Sequence, residues 1–366
     1  MLRLWNSRAY RKGDEYKIYS LWKAVHKDND ICLDSWLKWW EWTYMKNPAG
    51  LGIIFVAEDR GEIVGHSSVI PMRMKIGSKY LTGFQSIETM THPSYRKLGI
   101  YTKLARMTYD AAFYYGWDIG YRFPNRRSSY PIAKNRLNWF DVSNRISALL
   151  PVNHLNIIDS CFKNETLSRL FTPISITLHK FICKMNCRKN SENASIMLRR
   201  VTHFDEAIND LWKVVKNDYE IMLVKEKEFL NWRYIKHPLA DYEAYVVDQN
   251  GVIDGYAVLG LREIHGLKAG IIYDLVAPLS KGDVISAMVK FAVNHFIEKG
   301  VDFVNYQLIG SNIYYRILRK YGFINLSIIN KRLPFLAYLN SSQSITEAWL
   351  ADRKNWFIQM GDSDAK

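Results

Sequence analysis

The chain is poor in cysteine and lacks both a long apolar run and a dense basic one. Four cysteines, Cys32, Cys161, Cys183 and Cys187, stand among 366 residues, too few for a disulfide-stapled secreted domain. Cys183 and Cys187 lie four apart on an expected helix, with no histidine pair near them at zinc-like spacing. No metal site is therefore expected, and the thiols read as free ones of a reducing cytoplasm. His66, His92 and His154 are isolated and read as structural. No apolar stretch approaches the roughly 20 residues of a transmembrane helix. The opening MLRLWNSRAYRKGDEY has no apolar core of the signal-peptide kind, so the expected location is cytoplasmic. Low-complexity tracts are missing too. Hydrophobic residues at 48% and charged residues at 23% exclude a disordered or collagen-like chain.

Positive charge and aromatic rings are abundant. The net charge is +14 and the aromatic content 14%. Such a surplus favours an anionic partner: nucleic acid, an acidic membrane surface or a phosphate-rich cofactor. The most basic stretch, Cys183 to Arg200, is not a dense run, and nucleic acid is not the expected partner. The length fits two domains at roughly 100–200 residues each.

The chain repeats itself. Leu21–Gly65 laid over Leu211–Gly255, without a gap, matches at 15 of 45 positions, where ordinary residue frequencies would give roughly three. LWKAV falls on LWKVV, WEWTYMKNP on LNWRYIKHP, and FVAEDRGEIVGH on YVVDQNGVIDGY. Farther on the match loosens: Pro93 aligns with Pro278, Gly116 with Gly300, and Trp139-Phe140 falls near Gly322-Phe323. A domain-sized period means a duplicated domain and not a solenoid. The expected division is 1–150, a helical linker 151–190, 191–340 and a tail 341–366. In the linker, Leu170, Phe171, Ile174, Leu178, Phe181 and Ile182 are spaced for an amphipathic helix that packs on both domains; a membrane-surface helix is the alternative.

Within one copy, periodicity and breakers predict helices over Tyr16–Lys27 and Ser35–Tyr44, the second ending before Asn47-Pro48. Trp36, Trp39, Trp40 and Trp42 are expected to pack there, with substrate stacking by one of them as the lesser alternative. A hairpin is predicted over Ile53–Glu58 and Ile63–Met74, and a strand over Thr82–His92. A loop Pro93–Leu98, a helix Gly99–Gly116, a strand Trp117–Phe123, a short helix Ser128–Leu137 and a strand from Asn138 follow. This order describes an α+β layer with a mixed sheet.

The informative segment is Thr89-Met90-Thr91-His92-Pro93-Ser94-Tyr95-Arg96-Lys97-Leu98-Gly99-Ile100-Tyr101-Thr102. A strand ends, a turn follows and a long helix opens at a glycine. The first turn of a helix carries N–H groups without partners and the positive end of the dipole, which suit a pyrophosphate. Gly99 puts no side chain in the way, and Arg96 and Lys97 add charge. Arg96-x-x-Gly99-x-Tyr101 resembles motif A of the GNAT acetyltransferases, Gln/Arg-x-x-Gly-x-Gly/Ala. Tyr101 stands where the family carries a small residue. The resemblance spans about 14–142 and, in the second copy, 204–330, and it implies two tandem GNAT folds, each a mixed, mostly antiparallel sheet flanked by helices.

It implies a site as well. Acetyl-CoA would lie against Met90 and Thr91 of the strand, the loop and helix start Arg96, Lys97, Leu98, Gly99, Ile100, Tyr101 and Thr102, and then Asn125 and Ser128. Asn125 reads alternatively as a helix-capping or turn residue. Glu88, on the strand, is the expected base toward an acceptor amine, with a surface or capping carboxylate as the alternative. Tyr130 is the expected acid for the departing thiolate, and Tyr101 the second candidate. Acidic residues Asp28, Asp30 and Asp34 between the first two helices would suit a cationic acceptor.

The second copy reads Val276-Ala277-Pro278-Leu279-Ser280-Lys281-Gly282-Asp283-Val284 at the same place. No arginine precedes the glycine, Asp283 would repel phosphate, and Tyr273 stands opposite Glu88. This copy is expected to complete the acceptor pocket or to dimerise, and a homodimer stays open. The resulting expectation is acetyl-CoA-dependent acetyl transfer to a primary amine of a small molecule or sugar. A Fem-like aminoacyl-tRNA-dependent transferase and a non-catalytic acyl-CoA binder are the alternatives.

Overall fold

The aromatic and β-branched runs of each copy form strands, and the Leu/Trp-faced segments cover them as helices. The computed structural model describes residues 5–27, 30–162, 165–186, 196–310, 312–326, 333–340 and 345–363. The first copy runs β1 (Asn6–Ala9), α1 (Asp14–Val25), α2 (Leu33–Tyr44), β2 (Ile53–Asp59), β3 (Glu62–Ile76), β4 (Lys79–Thr91), α3 (Ile100–Tyr114), β5 (Ile119–Arg122), α4 (Ser129–Arg136), β6 (Phe140–Asn144) and β7 (Ile146–Pro151). Helices α5 (His154–Phe162) and α6 (Glu165–Asn186) connect the copies. The second copy runs β8 (Leu198–Val201), α7 (Ala207–Val215), β9 (Ile221–Leu223), α8 (Lys227–Leu230), β10 (Tyr242–Gln249), β11 (Val252–Ile264), β12 (Leu267–Val276), α9 (Gly282–Glu298), β13 (Phe303–Ile309), α10 (Asn312–Lys320), β14 (Ile324–Asn325) and β15 (Pro334–Leu339). Then come α11 (Glu347–Ala351) and β16 (Trp356–Gln359).

The repeat is visible strand by strand. In the first copy β1, β2, β3 and β4 pair antiparallel in sequence order and β4 pairs parallel with β5. In the second, β8, β10, β11 and β12 do the same and β12 pairs parallel with β13. The last strands are exchanged. β7 leaves its own copy and inserts between β13 and β14, while β15 inserts between β5 and β6. Each half thus completes its sheet with a strand of the other, an arrangement that the linear division at 150 and 190 does not contain.

The residues after 340, expected as a tail, lie at the centre. β16 pairs parallel with β9, which is antiparallel to β3, and antiparallel with β13, so the two halves share one continuous sheet. Trp356, Phe357 and Ile358 are fully buried there. On the pseudo-symmetry axis Trp42 stacks on Trp232, its equivalent in the repeat, with ring centroids 4.6 Å apart. Each indole donates to the other's backbone carbonyl, Trp42 Nε1 to Trp232 O at 2.8 Å and Trp232 Nε1 to Trp42 O at 3.0 Å. The predicted packing role of Trp36, Trp39, Trp40 and Trp42 matches their burial in this core.

The linker helix forms but presents its stripe differently from expectation. Leu170, Ile174 and Leu178 are exposed, and the half-buried face carries Ser175 and His179 beside Ile176. The side chains of Phe181 and Ile182 lie outside the described residues, as do those of Cys161 and Cys183 and the whole of Cys187.

Candidate active site

Strands β4 and β5 run side by side only where Phe84 faces Gly120 and Gln85 faces Tyr121. Beyond that point no ladder joins them, and they border a cleft of about 920 Å³. Its walls come from Ser86–Thr91 of β4, Arg96 and Lys97 of the loop, Tyr101 of α3, Arg122–Asn125 after β5 and one face of α4. Val25 and His26, at the end of α1, close one side.

The β4 wall is bent by a bulge: Glu88 and Thr89 together oppose Ser67, since His66 pairs with Met90 and Ser68 with Ile87. Glu88 takes φ 45, a left-handed conformation that costs a residue with a Cβ about 1–2 kcal/mol. It is the only non-glycine residue inside a strand to do so among the described residues. His66 braces the bulge, its Nδ1–H donating to the Glu88 carbonyl at 2.6 Å. Burial pushes the His66 pKa down to about 4, so the ring is neutral at pH 7. Its structural reading is thus given a definite task. Glu88 itself lines the cleft.

The loop opens onto the same space. Tyr95 donates to Asp59 at 2.6 Å and ties the turn to the hairpin. Lys97 and Gly99 both take left-handed conformations, φ 66 and 80. Gly99 is therefore required first by its backbone angle, and a Cβ on it would meet no atom within 4 Å, so the space in front is clear. Helix α3 has neither a capping side chain nor an acidic residue in its first turn. Its initial N–H groups have no intrahelical acceptor, and Lys103, Arg106 and Arg136 surround a hollow beside Gly99. Ile100 and Met90 are buried, so only their backbone can serve a ligand; Ile100 packs against Gly65, where a Cβ would come within 2.4 Å of it. Leu98 is exposed and Thr102 borders the hollow. Thr91 lines the cleft.

On the far wall, Asn125 Oδ1 accepts from the N–H of Arg127 at 2.9 Å and of Ser128 at 3.3 Å. Asn125 therefore holds the turn that leads into α4 and is also a lining residue, as is Ser128. Tyr130 is not brought to the cleft: α4 turns Ser129, Pro131, Ile132 and Asn135 inward, and the Tyr130 hydroxyl donates to Asp141 at 2.9 Å on β6. Burial, then the bond to Asp141, raise its pKa. Tyr101 does reach the cleft, and its oxygen accepts from Arg122 Nη2 at 3.0 Å. Arg122, buried at the end of β5, escaped notice in the sequence because one charged residue closing a short strand looks like surface. Asp34 pairs with Lys38 at 2.7 Å on the exposed face of α2, Asp30 is exposed, and Asp28 lies outside the described residues.

In the second half the corresponding wedge is full. Beyond the pair Ile272–Tyr306, β12 and β13 are joined by Gln359, whose Oε1 accepts from Leu275 N at 2.8 Å and from the Tyr306 hydroxyl. The chain then turns through Gly361, whose carbonyl accepts from Arg233 Nε at 2.8 Å. Buried Asp274 accepts from Lys225, Tyr234 and Tyr256, and Lys225 also bonds Asp362. Burial pulls the Lys225 pKa down, but the two carboxylates outweigh it and hold it above its ordinary value. At the helix start, Lys281 pairs with Asp254 at 2.5 Å, and Asp283 sits in the first turn of α9. Among the described residues no three histidine, cysteine or carboxylate side chains gather as a metal site.

Residues 6–139 match the family described as Acetyltransferase (GNAT) domain. No curated protein matches the chain by sequence. Among solved structures, a GCN5-related N-acetyltransferase of Anabaena variabilis superposes with a TM-score of 0.60 at 12% identity, over 92% of this chain and 73% of its own. Saccharomyces cerevisiae N-myristoyltransferase, solved with myristoyl-CoA bound, superposes with a TM-score of 0.57 at 12% identity, over 94% of this chain and 81% of its own. The shared fold extends across both halves.

Proposed function

We propose that this chain, whose residues 6–139 match the GNAT domain family, is a GNAT-type acyltransferase that transfers an acetyl group from acetyl-CoA to a primary amine of a small molecule or sugar. The observation that carries this reading is the open wedge between β4 and β5, with an uncapped helix start and a bulged strand on one wall.

In this proposal the pyrophosphate sits on the first-turn N–H groups of α3, beside Arg96 and Lys97. The pantetheine arm follows the backbone of Met90 and Thr91 and reaches Asn125 and Ser128. The acceptor enters past Val25 and His26. Glu88 takes the proton from the amine, directly or through a water, as the nitrogen bonds to the acyl carbon. The C–S bond then breaks. Tyr101 is the group that protonates the thiolate, because Arg122 already donates to its oxygen and leaves its own O–H to donate. Tyr130 is not given that role, its hydroxyl being turned to Asp141.

The test is CoA thiol release from acetyl-CoA and longer acyl-CoAs over a panel of amines. Amine-dependent release, with the acylated amine seen by mass spectrometry, is expected. Binding of acyl-CoA without release for any amine would leave a non-catalytic binder.

A further inference from the structure

Among its described aliphatic side chains, helix α6 turns only Ile176 toward its own protein and leaves the larger apolar stripe outside. Its half-buried side carries polar groups, with His154 Nδ1 at 2.8 Å from Ser175 Oγ and His179 Nε2 donating to the Gly322 carbonyl at 2.9 Å. Its outer side carries Leu170, Ile174 and Leu178, 64%, 58% and 58% exposed. These stand four apart and so make one stripe along the helix, flanked by Leu167 and Phe171, 40% and 39% exposed. A continuous apolar stripe of this kind on a soluble face marks an interaction surface.

Charge selects the occupant. From the start of α6 at Glu165 to residue 191 the sequence holds Arg169, Lys180, Lys184, Arg188 and Lys189 against the single carboxylate of Glu165. A second copy of the chain laid on the stripe would bring two such basic segments together. An anionic bilayer would attract them, each basic residue near such a surface contributing about 1 kcal/mol, while the leucines and isoleucine enter the boundary of the acyl chains. No described helix is long and apolar enough to cross a membrane, so the helix would lie on the surface. We propose that α6 is a surface anchor for anionic phospholipid, which would hold the acyltransferase at a membrane face.

The test is cosedimentation of the full chain with vesicles of phosphatidylcholine alone and with vesicles containing phosphatidylglycerol. Binding to the anionic vesicles, weakened by salt, is expected. Replacing the stripe by Leu170→Ser, Ile174→Ser and Leu178→Ser should weaken it about tenfold or more. Lys180→Glu, which leaves the stripe intact, should weaken it about fivefold or more. Circular dichroism and acyl transfer in solution report that both variants fold. Absence of binding to anionic vesicles, or binding unchanged in both folded variants, would overturn the proposal. So would a wild-type dimer that the serine variant converts to a monomer, since the stripe would then belong to a second copy.

Discussion

Glu88, the proposed base, and His66, which braces its backbone, each have a measurable consequence. Glu88 sits in a conformation that β-strands avoid, and such strain persists where the surroundings impose it. Here the brace is the bond from His66 to the Glu88 carbonyl. With Glu88 as the base, Glu88→Gln should lower kcat by about 10²–10⁴ and leave the KM for acetyl-CoA nearly unchanged. Steady-state kinetics over the full pH range checks this, and an unchanged kcat would remove Glu88 from the mechanism. His66 makes a prediction about pH. Burial holds its folded pKa at about 4, below the ordinary 6.5 of a histidine, so the unfolded chain binds the extra proton between these values. Its contribution to stability is complete above pH 6.5 and is lost as pH falls toward 4. Between neutrality and about pH 5 the loss is about 2 kcal/mol at 1.36 kcal/mol per pKa unit. His66→Gln should shrink the difference in urea-unfolding free energy between those conditions by about that amount; an undiminished difference would place the acid sensitivity elsewhere.

At the scale of elements, much was legible in the sequence. Arg96-x-x-Gly99 announced the helix start because a strand, a short turn and then a glycine open a long amphipathic run. The gap-free match of 21–65 with 211–255 announced paired hairpins, and Trp42 and Trp232, aligned there, prove to be partners. Alternation, however, reports that a strand is buried and not which neighbour buries it, so the exchange of β7 and β15 left no mark. β16, four residues long, is too short for periodicity to register. The resemblance points to a tyrosine on the short helix after Asn125, whereas the phase of α4 decides what faces the cleft and turns Tyr130 away from it. β16 carries the third prediction. Gln359→Ala removes the acceptor shared by Leu275 N and the Tyr306 hydroxyl and leaves buried donors unpaired, at about 1–3 kcal/mol each. Chemical denaturation should show a loss of that order. A neutral substitution would mean that the Gln359 side chain adds nothing to the seam beyond its backbone ladders and packing.

In the whole molecule, duplication has produced two copies of one fold with opposite fates. Reciprocal strand exchange, the Trp42–Trp232 stack and the shared strand β16 bind the halves into a single sheet. The same β16 that unites them fills the wedge of the second half, while the first half keeps its wedge open toward Arg96, Lys97 and the start of α3. Sequence pointed to this asymmetry through Asp283 and the missing arginine, and the occupied wedge adds a steric reason to the electrostatic one. The most direct test is calorimetric titration of the full chain with acetyl-CoA. One molecule bound per chain is expected, with affinity falling about tenfold or more in Arg96→Ala, a charged hydrogen bond contributing about 1.5–3 kcal/mol. A stoichiometry of two, or no binding at all, would contradict a single acyl-CoA site in the first half.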